Sequence, residues 1–243
     1  MKKCFRVLRS LLLLVMVVCV CSGLAVVGKG YEAYQEAVDE ISLEDKVAAI
    51  RGKDSFTEYE ELPQIYVQAV MAVEDKRFLR HMGVDPIAIC RAVRNDILAG
   101  SFVEGGSTIT QQLAKNLYFG QDKDLTRKVA EVLVAMDLER NYSKEEIFEL
   151  YVNAIYFGDG YYDVASASQG YFGKEPEDMN DYECTLLAGI PNAPSVYAPT
   201  RNPELAAKRQ LKVVERMEVC GYFSTEEAET VAETVSLMAG VVQ

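Results

Sequence analysis

The sequence predicts a mainly α-helical domain carried behind one N-terminal membrane-spanning helix. An uncharged apolar run lies near the start, helix-start signals recur from residue 63 onward, and the alternating pattern of strands is nearly absent beyond that point. The chain has 243 residues, 49% hydrophobic and 26% charged, with a formal net charge of -12. This is a globular composition, neither disordered nor of low complexity. The acidic excess argues against nucleic acid as a partner, because that ligand is gripped by a broad surplus of Lys and Arg. One His and six Cys with no CxxC pair leave little for a zinc site.

Residues 1–10 read as a cytoplasmic tail, since Lys2, Lys3, Arg6 and Arg9 precede the apolar run and positive flanks stay inside. Residues 11–28 read as the anchor: positions 11–27 carry no charge and are just long enough to cross a bilayer as a helix. The run is long for the apolar part of a cleaved signal peptide, and no A-x-A site follows it. Residues 29–57 are polar and acidic apart from the apolar 47–50, and read as a stalk packing loosely on the domain. Residues 58–243 then form one domain, with no repeat and no linker to divide it.

Within that domain, Pro63 suits the first turn of a helix, and Asp85-Pro86 is an N-cap followed by Pro at N1. Ser143 with Glu146 and Ser224 with Glu227 are capping boxes; Asn202-Pro203 opens a further helix that Gly221 closes. Cys90 and Cys184 sit inside apolar runs and read as small core residues. All 37 acidic residues lie beyond the anchor, as do 21 of the 25 Lys and Arg, so this part repels anions unless positive charge is concentrated somewhere.

Three segments carry chemistry. On a helix, Glu74 shares a face with Val70, Met71 and Phe78, which turns a carboxylate onto an apolar stripe. Desolvation there raises its pKa and suits it to proton transfer; on spacing alone, a solvated Glu-Asp-Lys-Arg run competes with that reading. His81 has no second His or Cys beside it and reads as a packed structural group. In residues 104–116, Gly105-Gly106 precede a helix whose free N–H groups and Lys115, one turn after Gln111, suit an anion, although no Lys-Ser/Thr follows the glycines as a P-loop requires. In residues 123–140, Glu131 lies in an apolar helix with Arg127 and Lys128 within pairing reach. Lys115, Lys123, Arg127 and Lys128 form the densest positive stretch beyond the anchor, and a diphosphate suits it.

Taken together, these motifs resemble the peptidoglycan glycosyltransferases, family 51 of the glycosyltransferases, over residues 58–200. Glu74-Asp75 with Phe78, His81, Gly83 and Asp85 is followed by the run from Gly105 to Gln112 with Lys115-Asn116. Arg127-Lys128 with Glu131, then Lys144, Ile147, Tyr151 and Asn153, and then Tyr171-Phe172-Gly173-Lys174 with Glu183 and Pro191 complete the order. The resemblance implies a lysozyme-like helical fold with a smaller membrane-facing lobe. It also implies a substrate of lipid II, joined to the growing glycan strand by a β-1,4 bond with release of undecaprenyl diphosphate. Glu74 would be the general base, and Glu131 the second catalytic Glu, near the diphosphate or a divalent cation such as Mg²⁺. No cofactor is otherwise implied. Ser107, Thr108, Gln111, Gln112, Lys115, Lys123, Arg127, Lys128 and Asn153 would meet the substrate.

Lys123 stands where the family usually has Arg, and Ala165 where it usually has Glu. Without SxxK or KTG, the monofunctional form is expected, in the cytoplasmic membrane with its catalytic domain on the outer side, beside proteins of the wall-synthesis machinery. Two rivals share part of the pattern: a lysozyme-like lytic enzyme using Glu74 as acid, and a non-catalytic lipid II-binding partner of wall synthesis.

Overall fold

The computed structural model describes residues 2–101, 105–120 and 124–241. The described residues are mainly helical and contain no strand. In order the helices are α1 (Lys2–Glu40), α2 (Leu43–Arg51), α3 (Gln64–Glu74), α4 (Pro86–Ala99), α5 (Ile109–Tyr118) and α6 (Leu125–Asn141), followed by α7 (Lys144–Val152), α8 (Val164–Phe172), α9 (Asp181–Gly189), α10 (Pro194–Tyr197), α11 (Pro203–Cys220) and α12 (Thr225–Val241). The predicted starts hold for local reasons. Asp85 accepts the Ile87 amide, Ser143 accepts the Glu146 amide, and Ser224 exchanges hydrogen bonds with Glu227. Gly221 closes α11 at φ 74°, a backbone region open to glycine and costly for other residues.

The core is one continuous cluster. α3 packs between α9 and α11, α5 packs against α6 and α7, and α12 covers α11. Tyr66, Tyr151, Phe78, Phe148 and Phe157 are its largest fully buried side chains.

The loose stalk is not what forms. α1 continues without a break from the apolar run to Glu40, and its C-terminal half docks along α6. Gly30 permits that approach, because a Cβ there would lie 2.5 Å from Val129 Cβ, and the Tyr34 hydroxyl donates to Asp137 Oδ2 at 2.5 Å. Then α2 buries Leu43, Val47 and Ile50, one stripe at i, i+4 and i+7, in the central core. Upstream, the large side chains from Leu11 to Val20 are all exposed, and the helix is long and apolar enough to cross a membrane.

α4 stands apart from this core. Ala92 is its one buried side chain, while Ile87, Val93, Ile97 and Leu98 are exposed, so it forms the smaller lobe of a lysozyme-like helical fold. Cys90 also lies exposed on α4, contrary to its expected core position, whereas Cys184 is fully buried.

Candidate active site

α3 ends at Glu74 because the Asp75 backbone leaves the helical region, at φ -155° and ψ 76°. Phe78 is therefore not one turn further along the same helix; it lies in a short 3-10 turn and fills the core. The break sends two successive carboxylates to different partners. Asp75 Oδ2 accepts the Ile109 amide at 3.1 Å, at the first turn of α5, and lies 2.8 Å from His81 Nε2. Glu74 lines a cavity of about 660 Å³, where Oε2 accepts Gln112 Nε2 at 2.9 Å and Oε1 accepts Arg209 Nη2 at 3.2 Å. With 8% of its side chain exposed, Glu74 has its pKa raised above the usual glutamate value, first by burial. The Gln112 hydrogen bond and Arg209 pull it back, and the Asp75 charge adds to the rise.

α5 and α6 build one wall of the same cavity. Its lining includes Ser107, Gln111, Gln112, Lys115, Arg127, Lys128 and Glu131. Glu131, 2% exposed, is held by Arg127 Nη1 at 3.1 Å and Lys128 Nζ at 3.0 Å, and Lys128 also donates to Ser107 Oγ at 2.8 Å. Lys115 has no carboxylate within 4 Å among the described residues. Its pKa is lowered by burial and then by neighbouring Arg127 and Lys128, with Glu131 opposing.

The opposite wall is α11, which the sequence reading left without a role. Lys208, Lys212 and Arg216 recur at i, i+4 and i+8 and line the cavity with Arg209. That spacing is the signal the sequence contained. Arg209 is aimed by its Nε donating to Gly189 O at 3.2 Å and by its guanidinium lying 5.9 Å from the Tyr197 ring centroid. Altogether nine Lys and Arg line this cavity against two carboxylates, in a chain of net charge -12. Here is the concentration of positive charge that an anionic ligand needs.

Two of the expected substrate contacts are structural. Asn153 is fully buried: its Oδ1 accepts the Thr57 amide at 3.0 Å, and its Nδ2 donates to Thr57 O at 2.8 Å and Glu149 O at 2.9 Å. Asn153→Ala is expected to cost about 2–4 kcal/mol of stability, since it strands buried backbone groups; a thermal melt of the full chain in detergent checks this. Thr108 is the N-cap of α5, accepting the Gln111 amide at 3.1 Å and donating to Gly83 O at 2.6 Å. Gln111 lines the cavity, but its Oε1 is engaged by the Thr108 amide. Lys123 lies outside the described residues.

No group of three or more His, Cys, Asp or Glu converges among the described residues, and Glu131 lies between two cations that would repel a metal ion.

The Transglycosylase family model matches residues 44–218. The chain is 48% identical over 170 residues to penicillin-binding protein 1F of Bacillus subtilis, covering 70% of this chain and 24% of that protein. It is 44% identical over 177 residues to penicillin-binding protein 1A of Aquifex aeolicus, covering 73% of this chain and 24% of that one. The chain thus spans about a quarter of the length of these curated relatives. A crystal structure of penicillin-binding protein 1A from Haemophilus influenzae matches 51% of this chain and 15% of that chain at 27% identity, with a TM-score of 0.36.

Proposed function

Because this chain belongs to the transglycosylase family, we propose that it polymerises lipid II into β-1,4-linked glycan and releases undecaprenyl diphosphate. The observation that carries the reading is a desolvated carboxylate, Glu74, in one cavity with two facing rows of cations.

Glu74 takes the proton from the acceptor's GlcNAc 4-hydroxyl as that oxygen attacks the donor's anomeric carbon. The bond from that carbon to the diphosphate breaks, and its electron pair leaves on the diphosphate. Lys115, Arg127 and Lys128 stabilise the charge that develops there, an electrostatic task suited to cations already held in place before the reaction. Glu131 holds Arg127 and Lys128 in place from behind. The acceptor carries a diphosphate of its own, and Lys208, Lys212 and Arg216 on the opposite wall suit it. No step is routed through a divalent ion.

A lipid-linked substrate also makes sense of the anchor, which keeps the cavity at the surface where such a substrate lies and raises its effective concentration. The basic tail at residues 2–9 favours a domain on the outer side of the cytoplasmic membrane, with the exposed apolar face of α4 against lipid. Its protein partners would be those of wall synthesis.

The test is incubation of the full chain in detergent with lipid II, reading glycan polymer on a gel, with a parallel incubation on purified cell wall. Polymer from lipid II, unchanged by chelator, is the expected result. Soluble muropeptides released from the wall without polymer from lipid II would favour the lytic reading, and lipid II binding without turnover would favour a non-catalytic partner.

A further inference from the structure

Gln112 reaches Glu74 through a side-chain amide whose two ends are opposite in character. The Nε2 end donates to a carboxylate, while the Oε1 end would set lone pairs against it. The backbone under this amide is fixed, since Asp75 holds the Ile109 amide at the first turn of α5 and Thr108 is tied to Gly83. Backbone position does not choose which end of the amide faces Glu74. One group in contact with the other end does: the Tyr151 hydroxyl, on α7, lies 3.2 Å from Gln112 Oε1.

We propose that Tyr151 is a positioning residue for Glu74, acting through Gln112: by donating to Oε1, its hydroxyl turns Nε2 onto the carboxylate. Tyr151 is fully buried, and burial keeps its phenol pKa well above the ordinary tyrosine value, so it remains a donor throughout the working range of the protein. The chain Tyr151, Gln112, Glu74 crosses three helices, α7, α5 and α3. It reaches the carboxylate on the oxygen that Arg209 does not contact. This inference rests on Glu74 being the base, and the experiment separates the two.

The full chain in detergent is assayed on lipid II across pH as wild type, Tyr151→Phe, Gln112→Ala, the double variant and Glu74→Gln. Phenylalanine keeps the ring that packs beside Phe148, so the change removes one hydroxyl. In Tyr151→Phe, the hydroxyl's bond to the neutral Gln112 amide is lost and the amide is free to turn its donor off Glu74, so kcat falls about tenfold, on the order of one hydrogen bond to the charged carboxylate, with KM within about twofold. Its acid limb moves to higher pH, because the carboxylate loses a donor to its charged form. Asp75, next in the chain, and Arg209, from α11, are the other charged groups acting on Glu74, and neither is altered. In the Gln112→Ala background, Tyr151→Phe has no further effect. Wild-type kcat, an unmoved acid limb, or a loss that adds in full to that of Gln112→Ala would each overturn the role of Tyr151. Full activity of Glu74→Gln would instead remove the base itself, and that arm is read independently.

Discussion

Under the proposed mechanism, Glu74→Gln is expected to lower glycan polymerisation about 10³-fold while lipid II binds within a few-fold of wild type. The amide keeps the shape of the side chain and can still meet Gln112 and Arg209, but it cannot accept the acceptor hydroxyl's proton. Burial makes the loss large. A carboxylate in water is a weak base near neutral pH, whereas one desolvated at the end of α3 binds a proton more tightly and removes it from the sugar more readily. Arg209 moderates this by holding Oε1 at 3.2 Å. Binding is spared because the cations of both walls are untouched. The measurement is initial rate of polymer formation alongside equilibrium binding of lipid II; a variant defective in binding and not in turnover would assign Glu74 to the substrate grip.

Lys115→Met is the second large effect, with kcat expected to fall about 10²- to 10³-fold, as when one preorganised group facing developing charge is removed. Arg127 and Lys128 share Glu131, which spends part of their charge inside the protein. Lys115, beside them in the same cavity, has no carboxylate partner among the described residues, so its charge is not shared in that way. Methionine keeps the apolar length of the side chain and packing against α6. Burial and the two neighbouring cations already lower the Lys115 pKa, so its proton is lost at lower pH than from an ordinary lysine. The basic limb of the wild-type rate therefore falls below the usual lysine value, because Lys115 works only when charged, and that limb disappears from whatever rate Lys115→Met retains. Rates measured from neutral to alkaline pH on both proteins decide it.

Local chemistry made much of this molecule legible before folding was considered. The caps at Asp85, Ser143 and Ser224 and the closing Gly221 act within a few residues of their partners, so their signals survive any tertiary context. Glu74 was legible only in part: Val70 and Met71, one turn earlier, put it on an apolar face, while spacing alone left a solvated run in competition and the resemblance to the family decided between them. Pairing of Glu131 with Arg127 and Lys128 follows from i, i+4 and i, i+3 spacing.

What escaped were contacts made between distant segments. Arg209 meets Glu74 across 135 positions of sequence, and nothing near either residue announces the other. Asn153 sits in a motif and looks available, yet Thr57, 96 residues earlier, uses both ends of its amide. The acidic composition of 29–57 suggested a loose stalk and hid the short stripe of Leu43, Val47 and Ile50 that ties α2 into the core. In that case the periodicity was present and composition outweighed it.

The most direct measurement of the central claim is the pH dependence of kcat/KM for lipid II polymerisation by the full chain, since this parameter reports the free enzyme's essential groups. A buried base loses activity as pH falls through its raised pKa, so the acid limb should lie above the ordinary glutamate value of about 4.3. Replacing Arg209 by Ala should push that limb higher still, because the guanidinium favours the charged carboxylate. A rate that stays constant down to the ordinary glutamate value, or an acid limb that Arg209→Ala leaves in place, would contradict a desolvated Glu74 as the group that accepts the proton.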